Sequence, residues 1–152
     1  MLSIRRIICP LDFSEPSQKA MEAAVELAEQ FRAEVVFVHV IAPAAPGIPA
    51  DPAYAFAGAE EYDKAVRTKA EEQLTMAAHN LPEGLQSRNV IATGNAADEI
   101  VRAARDESAD LVVIATHGLT GWRHLVFGSV AEKVIRLSER PVLVIPAHEL
   151  KQ

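Results

Sequence analysis

Ala115-Thr116-His117-Gly118, then nine residues, then Gly128-Ser129 is the stretch of this chain where residue type and spacing together point to chemistry. Before it, Leu111-Val112-Val113-Ile114 is apolar and β-branched and reads as a buried strand. After it, Val130, Val134 and Leu137 fall on one helical face. The order is therefore strand, glycine loop, glycine-serine, helix start. The first backbone N–H groups of a helix have no intrahelical partner, and the helix dipole favours an anion beside them. Glycines let a phosphate approach the backbone closely. The plainer alternatives are that Ser129 forms a capping box with Glu132 and that Gly118 only makes a turn.

The remaining segments alternate in type. Residues 6–9 (RIIC), 34–40 (EVVFVHV), 88–92, 111–114 and 142–145 read as strands. Between them, helical spacing runs over residues 17–31, with Ala20, Ala24, Leu27 and Phe31 as the apolar face. A longer helix at 60–80 carries Tyr62, Val66, Ala70, Leu74, Ala77 and Leu81. A third, at 96–106, buries Ala97, Ile100, Val101 and Ala104 and is capped by Asn95 with Asp98. Pro16 suits the first turn of the first helix, with Ser14 or Asp12 as its cap. Residues 41–58 hold Pro43, Pro46, Pro49 and Pro52, which exclude a regular helix or central strand, so one long mobile loop is expected. The pattern predicts one α/β domain over residues 1–152, a parallel sheet with helices on both faces. In such sheets ligands bind beyond the carboxyl ends of the strands, where strand order reverses. Asp12, just after the first strand, and Ala115, ending the fourth, would share that crevice.

Composition narrows the classes. Hydrophobic residues make up 49% and charged residues 24%, within the usual range for a globular chain. The formal net charge of −6 argues against general nucleic-acid binding. No apolar run approaches the ~18 residues of a membrane span, and no signal peptide is expected. One cysteine, Cys9, cannot form an internal disulfide, which is compatible with a cytoplasmic location. Cys9 reads as a packed strand residue, and His39 as a satisfied core or semi-buried histidine. His117 is placed to donate to a phosphate, by side chain or backbone. Trp122-Arg123-His124 reads as a contact surface or a flap. No His, Cys, Asp and Glu set has metal-ligand spacing, so Mg²⁺ would arrive only with a nucleotide.

Several phosphate-chemistry signatures are missing: G-x-x-x-x-G-K-[ST], G-x-G-x-x-G and G-x-S-x-G. A receiver-type phosphorylation site would need an acidic residue where Gly94-Asn95 stands. The pattern that is present, A-x-x-G followed by nine residues and G-S, resembles the nucleotide signature of the universal stress protein family, G-x-x-G followed by nine residues and G-[ST]. Cys9-Pro10-Leu11-Asp12-Phe13-Ser14-Glu15, His39-Val40, and the tail from Gly128 to Ile145 are similar to other parts of that family. The resemblance spans the chain apart from residues 41–58. It implies a five-stranded parallel sheet of order 3-2-1-4-5 that binds ATP. Pro10 and Asp12 would flank base and ribose, Val40 would meet adenine through its backbone, and Ala115 would lie near the ribose. His117, Gly118, Gly128, Ser129 and Val130 would hold the phosphates. It also implies a homodimer formed by antiparallel pairing of the last strand, Val142–Ile145. One residue departs from the family pattern: Ala115 stands where its first glycine would be. The functional expectation is a dimeric, ATP-binding stress-response module with at most slow ATP hydrolysis. The alternative is a dimeric interaction module that binds no nucleotide.

Overall fold

In a computed structural model, residues 3–43, 58–116 and 128–147 are described. Their elements are β1 (Arg6–Pro10), α1 (Glu15–Phe31), β2 (Glu34–Ile41), α2 (Ala59–His79), β3 (Ser87–Thr93), α3 (Ala96–Asp106), β4 (Leu111–Ala115), α4 (Ser129–Leu137) and β5 (Val142–Ile145). The strands form one sheet of order β3-β2-β1-β4-β5 in which every neighbouring pair is parallel. Order and fold class are those expected. The expected loop at 41–58 falls largely on residues 44–57, outside the described residues.

Alternation along the strands divides the core into two layers. Ile7, Cys9, Leu11, Val35, Phe37, Leu111 and Val113 meet α1 and α2 through Ala20, Ala24, Ala28 and Leu74. Ile8, Val36, Val38, Val112 and Ile114 face the other way and meet α3 and α4 through Ala97, Ile100, Ala104, Ala131 and Val134. The alanines of α1, four residues apart, keep one narrow stripe of that helix flat against the sheet. Strands covered on both faces need continuous apolar sequence, which explains the EVVFVHVI run of β2.

The expected helix faces need correcting at four positions. Phe31 is 46% exposed: it is the last residue of α1, beyond the buried stripe of Ser17, Ala20, Ala24 and Ala28. In α4 the buried positions are Ala131 and Val134, while Val130 and Leu137 point outward. Val101 of α3 is half-buried, and Ala103 takes its place in the core.

Among the described residues no helix is long and apolar enough to cross a membrane.

Candidate functional site

All five strands point the same way, so their carboxyl ends share one edge of the sheet. β1 lies between β2 and β4, with Pro10 beside Val38 and Ile8 beside Val112. This is where strand order reverses. Pro10 ends β1, Asp12 follows two residues on, Val40 is near the end of β2, and Ala115 ends β4. Thr116 then gathers three segments. Its N–H donates to the Ile145 carbonyl at 2.9 Å, its carbonyl accepts from the Gly128 N–H, and its Oγ1 accepts from the Ala147 N–H at 3.1 Å. The Gly128 bond brings the start of α4 back to the end of β4. Pro10, Asp12, Val40, Ala115, Gly128, Ser129 and Val130 therefore stand at one edge of one sheet. His117 and Gly118, and with them Trp122, Arg123 and His124, lie outside the described residues.

The turn after β1 is held from several directions. The Leu11 N–H donates to the Val38 carbonyl at 2.8 Å. Asp12 Oδ1 accepts from the Ser14 N–H at 3.0 Å and from the Ser14 hydroxyl. Ser14 in turn caps α1, its Oγ accepting from the Ser17 N–H at 3.3 Å. Of the two expected caps, then, Ser14 takes the role and Asp12 supports it. Between them Phe13 sits at φ 63°, a left-handed conformation that costs a side-chain-bearing residue about 1 kcal/mol.

At α4 the N-cap is Gly128, with Ser129 the first helical residue. The expected Ser129 capping box is thus not formed: Glu132 N–H donates to the Gly128 carbonyl at 3.0 Å, and no side chain at the cap position accepts from the first turn. Ser129 and Val130 are exposed. A first turn with uncapped donors, exposed and held against the end of β4, suits an anionic oxygen.

His39 is half-buried. Its Nδ1 lies 2.7 Å from the Leu11 carbonyl, which can only accept, so Nδ1 carries the proton. It is the satisfied histidine expected. Burial pushes the Cys9 thiol up to about 12, so it packs as a neutral group and is no nucleophile. Among the described residues no group of three His, Cys, Asp or Glu side chains is placed to hold a metal ion.

The model of the universal stress protein family matches residues 3–146. The chain belongs to this family. Universal stress protein MJ0531 of Methanocaldococcus jannaschii is 33% identical over 93% of this chain and 81% of its own length. Universal stress protein G of Escherichia coli O157:H7 is 31% identical, over 93% and 98%. Among solved structures, that of the M. jannaschii protein MJ0577 superposes with a TM-score of 0.81 at 27% identity, covering 97% of this chain and 99% of its own. A universal stress protein solved in complex with cAMP shares the fold at 21% identity and a TM-score of 0.66, covering 96% and 99% of the two chains. In this universal stress protein Pro10, Asp12, Val40, Ala115, Gly128, Ser129 and Val130 lie at the carboxyl edge of the sheet. Sequence reasoning gave no role to Phe13 or to the Thr116 hydroxyl. Nothing in a sequence marks a phenylalanine that will adopt positive φ, and the partners of Thr116 become neighbours only when β5 pairs with β4.

Proposed function

We propose that this universal stress protein binds ATP at the carboxyl edge of its sheet and acts as a dimeric, nucleotide-dependent stress-response module in the cytoplasm. The observation that carries this reading is the uncapped first turn of α4, tied through Gly128 and Thr116 to the end of β4 beside β1. In this reading Gly128, Ser129 and Val130, with His117 and Gly118, hold the phosphates through backbone N–H groups and the Ser129 hydroxyl. Pro10, Asp12 and Ala115 flank the ribose, and Val40 meets adenine. Mg²⁺ comes with the nucleotide. Solved relatives that share the fold were captured with cAMP and with dAMP, which supports an adenine nucleotide as the ligand class.

Dimerisation has its own support. Among the described residues β5 is an edge strand, bonded to β4 on one side. Leu143 on it is 39% exposed, and Val130, Ile135 and Leu137 of α4 are also exposed apolar residues. An edge with apolar surface of this kind suits antiparallel pairing with a second copy across a two-fold axis.

Ala115 favours the second reading, a dimeric interaction module without nucleotide, because it adds a methyl group where the family places glycine. Calorimetry separates the two. With ATP, ADP and AMP, the first reading expects micromolar ATP binding that Gly128→Val weakens by about thirtyfold, the worth of one or two hydrogen bonds to charged oxygens. No heat at millimolar ATP from an intact dimer establishes the second. ATP turnover of about one per second or faster contradicts both and makes the protein an enzyme.

A further inference from the structure

We propose that Phe13 and His39 are positioning residues that fix Asp12 relative to Val40, and so set how tightly the adenosine half of a nucleotide is held. The proposal rests on the nucleotide reading above, and it starts from a gap in the sheet. The register between β1 and β2 ends at Pro10 and Val38. Proline has no N–H, and beyond it the Leu11 N–H donates to the Val38 carbonyl. Asp12 and Val40 both lie past that last pair, so strand pairing does not determine their separation.

Two contacts bridge the gap. The His39 Nδ1–H donates to the Leu11 carbonyl at 2.7 Å. The Phe13 ring packs on the His39 ring, with centroids 4.6 Å apart and planes inclined by 30°. Leu11 and Phe13 flank Asp12 on both sides, and His39 immediately precedes Val40. One imidazole thus grips the backbone on one side of Asp12 and the side chain on the other. The φ of 63° at Phe13 is what turns its ring onto His39. A glycine would adopt that angle without strain, but it would bring no ring. Strain retained at the ligand edge and offset by a stack joining two ligand-bearing segments is the mark of a positioning device.

The test uses the full-length dimer with three variants: Phe13→Gly, which relieves the backbone and deletes the ring; His39→Phe, which keeps a ring and deletes the donor; and Phe13→Tyr, which keeps the ring. Amide hydrogen exchange without ligand reads the turn directly. The Ser14 amide, bonded to Asp12 Oδ1, should exchange about tenfold faster in Phe13→Gly and His39→Phe, with the β2 and β3 amides unchanged. ATP affinity should fall about tenfold in the same two variants, the upper end of what one aromatic stack is worth, and Phe13→Tyr should retain most of it. Should His39→Phe not fold, Phe13→Gly decides alone. Unaltered Ser14 exchange, or wild-type ATP affinity in a folded Phe13→Gly protein, overturns the proposal while leaving the nucleotide reading intact. A wild-type protein that binds no adenine nucleotide overturns both.

Discussion

At the amino ends of the strands one carboxylate holds two guanidinium groups; at the carboxyl ends of β1 and β4 the joining hydrogen bonds go to backbone groups of Leu11, Ser14, Gly128 and Ala147. Glu34 accepts from Arg6 Nε at 2.8 Å and from Arg88 Nε at 2.6 Å, and Arg88 also pairs with Glu107 at 2.7 Å. Arg6 donates as well to the Glu107 carbonyl at the end of α3. Asp110 Oδ2 accepts from the N–H groups of Arg5 and Arg6 at 2.8 and 3.0 Å, which anchors the start of β1 to the start of β4. Three strands and a helix are thereby joined by charge. At the opposite edge connections run through Thr116, Leu11 and Ser14 and through the Lys133–Asp98 pair between α4 and α3, Phe13 and Gly94 are held at positive φ, and α4 begins without a side-chain cap. The difference separates two tasks that one sheet must perform. The amino edge is tied by a charge cluster across three strands, and the proposed ligand edge beside β1 and β4 is tied by hydrogen bonds.

The largest expected change in stability is at the amino edge. Burial by itself would raise the Glu34 carboxyl, but hydrogen bonds from Arg88 and Arg6, with their charges, outweigh it and hold the group below its ordinary value of 4.5. The folded state then binds fewer protons than the unfolded chain in the window below 4.5, so this contribution is whole above that pH. It is lost as pH falls through the lowered folded value. Glu34→Gln should therefore lower stability at pH 7 by about 2 kcal/mol, since it weakens two charge-assisted bonds and leaves two cations facing a neutral amide. Thermal melts should shift by roughly 6 °C, and the gap from wild type should close as the pH falls through the lowered folded-state value of Glu34. ATP affinity should not change. A loss of binding in this variant would break the division between the two edges.

A middle-sized effect is expected where the two tasks meet. Ser14 caps α1 and also holds Asp12. Ser14→Ala should cost about 1 kcal/mol, the usual worth of an N-cap, and roughly 3 °C in Tm. Here, unlike at Glu34, calorimetry should show ATP affinity falling with stability, by about threefold, because Asp12 loses a partner. Equal stability with weakened binding would mean that the cap is carried by other groups.

How much of this was legible in the sequence follows from which contacts are local. The alternation of strands and helices and the Asn95 cap rest on periodicity and on patterns within a few residues, and a linear reading finds them, whereas the strand order is what the family resemblance implies. The carboxyl-edge location of Asp12 and Gly128 followed from topology. Phe31 was misjudged because helical spacing says which residues share a face but not where the chain leaves the sheet. Ser129 was offered as a cap because S-x-x-E fits one; the Gly128–Thr116 bond moves the cap one residue earlier. The Arg6–Glu34–Arg88–Glu107 cluster and the Phe13–His39 stack join residues far apart in sequence, and no spacing rule points to either.

The smallest expected effect concerns the residue that departs from its family. Ala115 is buried, and its methyl group belongs to the core layer shared with Leu11, Leu111, Val113 and the alanines of α1. A methyl packed into that layer leaves the Ala115 backbone as the part that a ligand at the sheet edge would meet. Ala115→Gly removes about one methyl group of packing and adds chain entropy to the unfolded state, so stability should fall by about 1 kcal/mol. If the methyl faces the core, ATP affinity should change by less than about threefold, well short of the effect expected at Gly128. A tenfold gain on restoring the glycine would show the methyl crowding the ribose instead. Ala115 would then be a feature that weakens nucleotide binding in this chain, and the edge opposite Glu34 would be only partly adapted to a ligand.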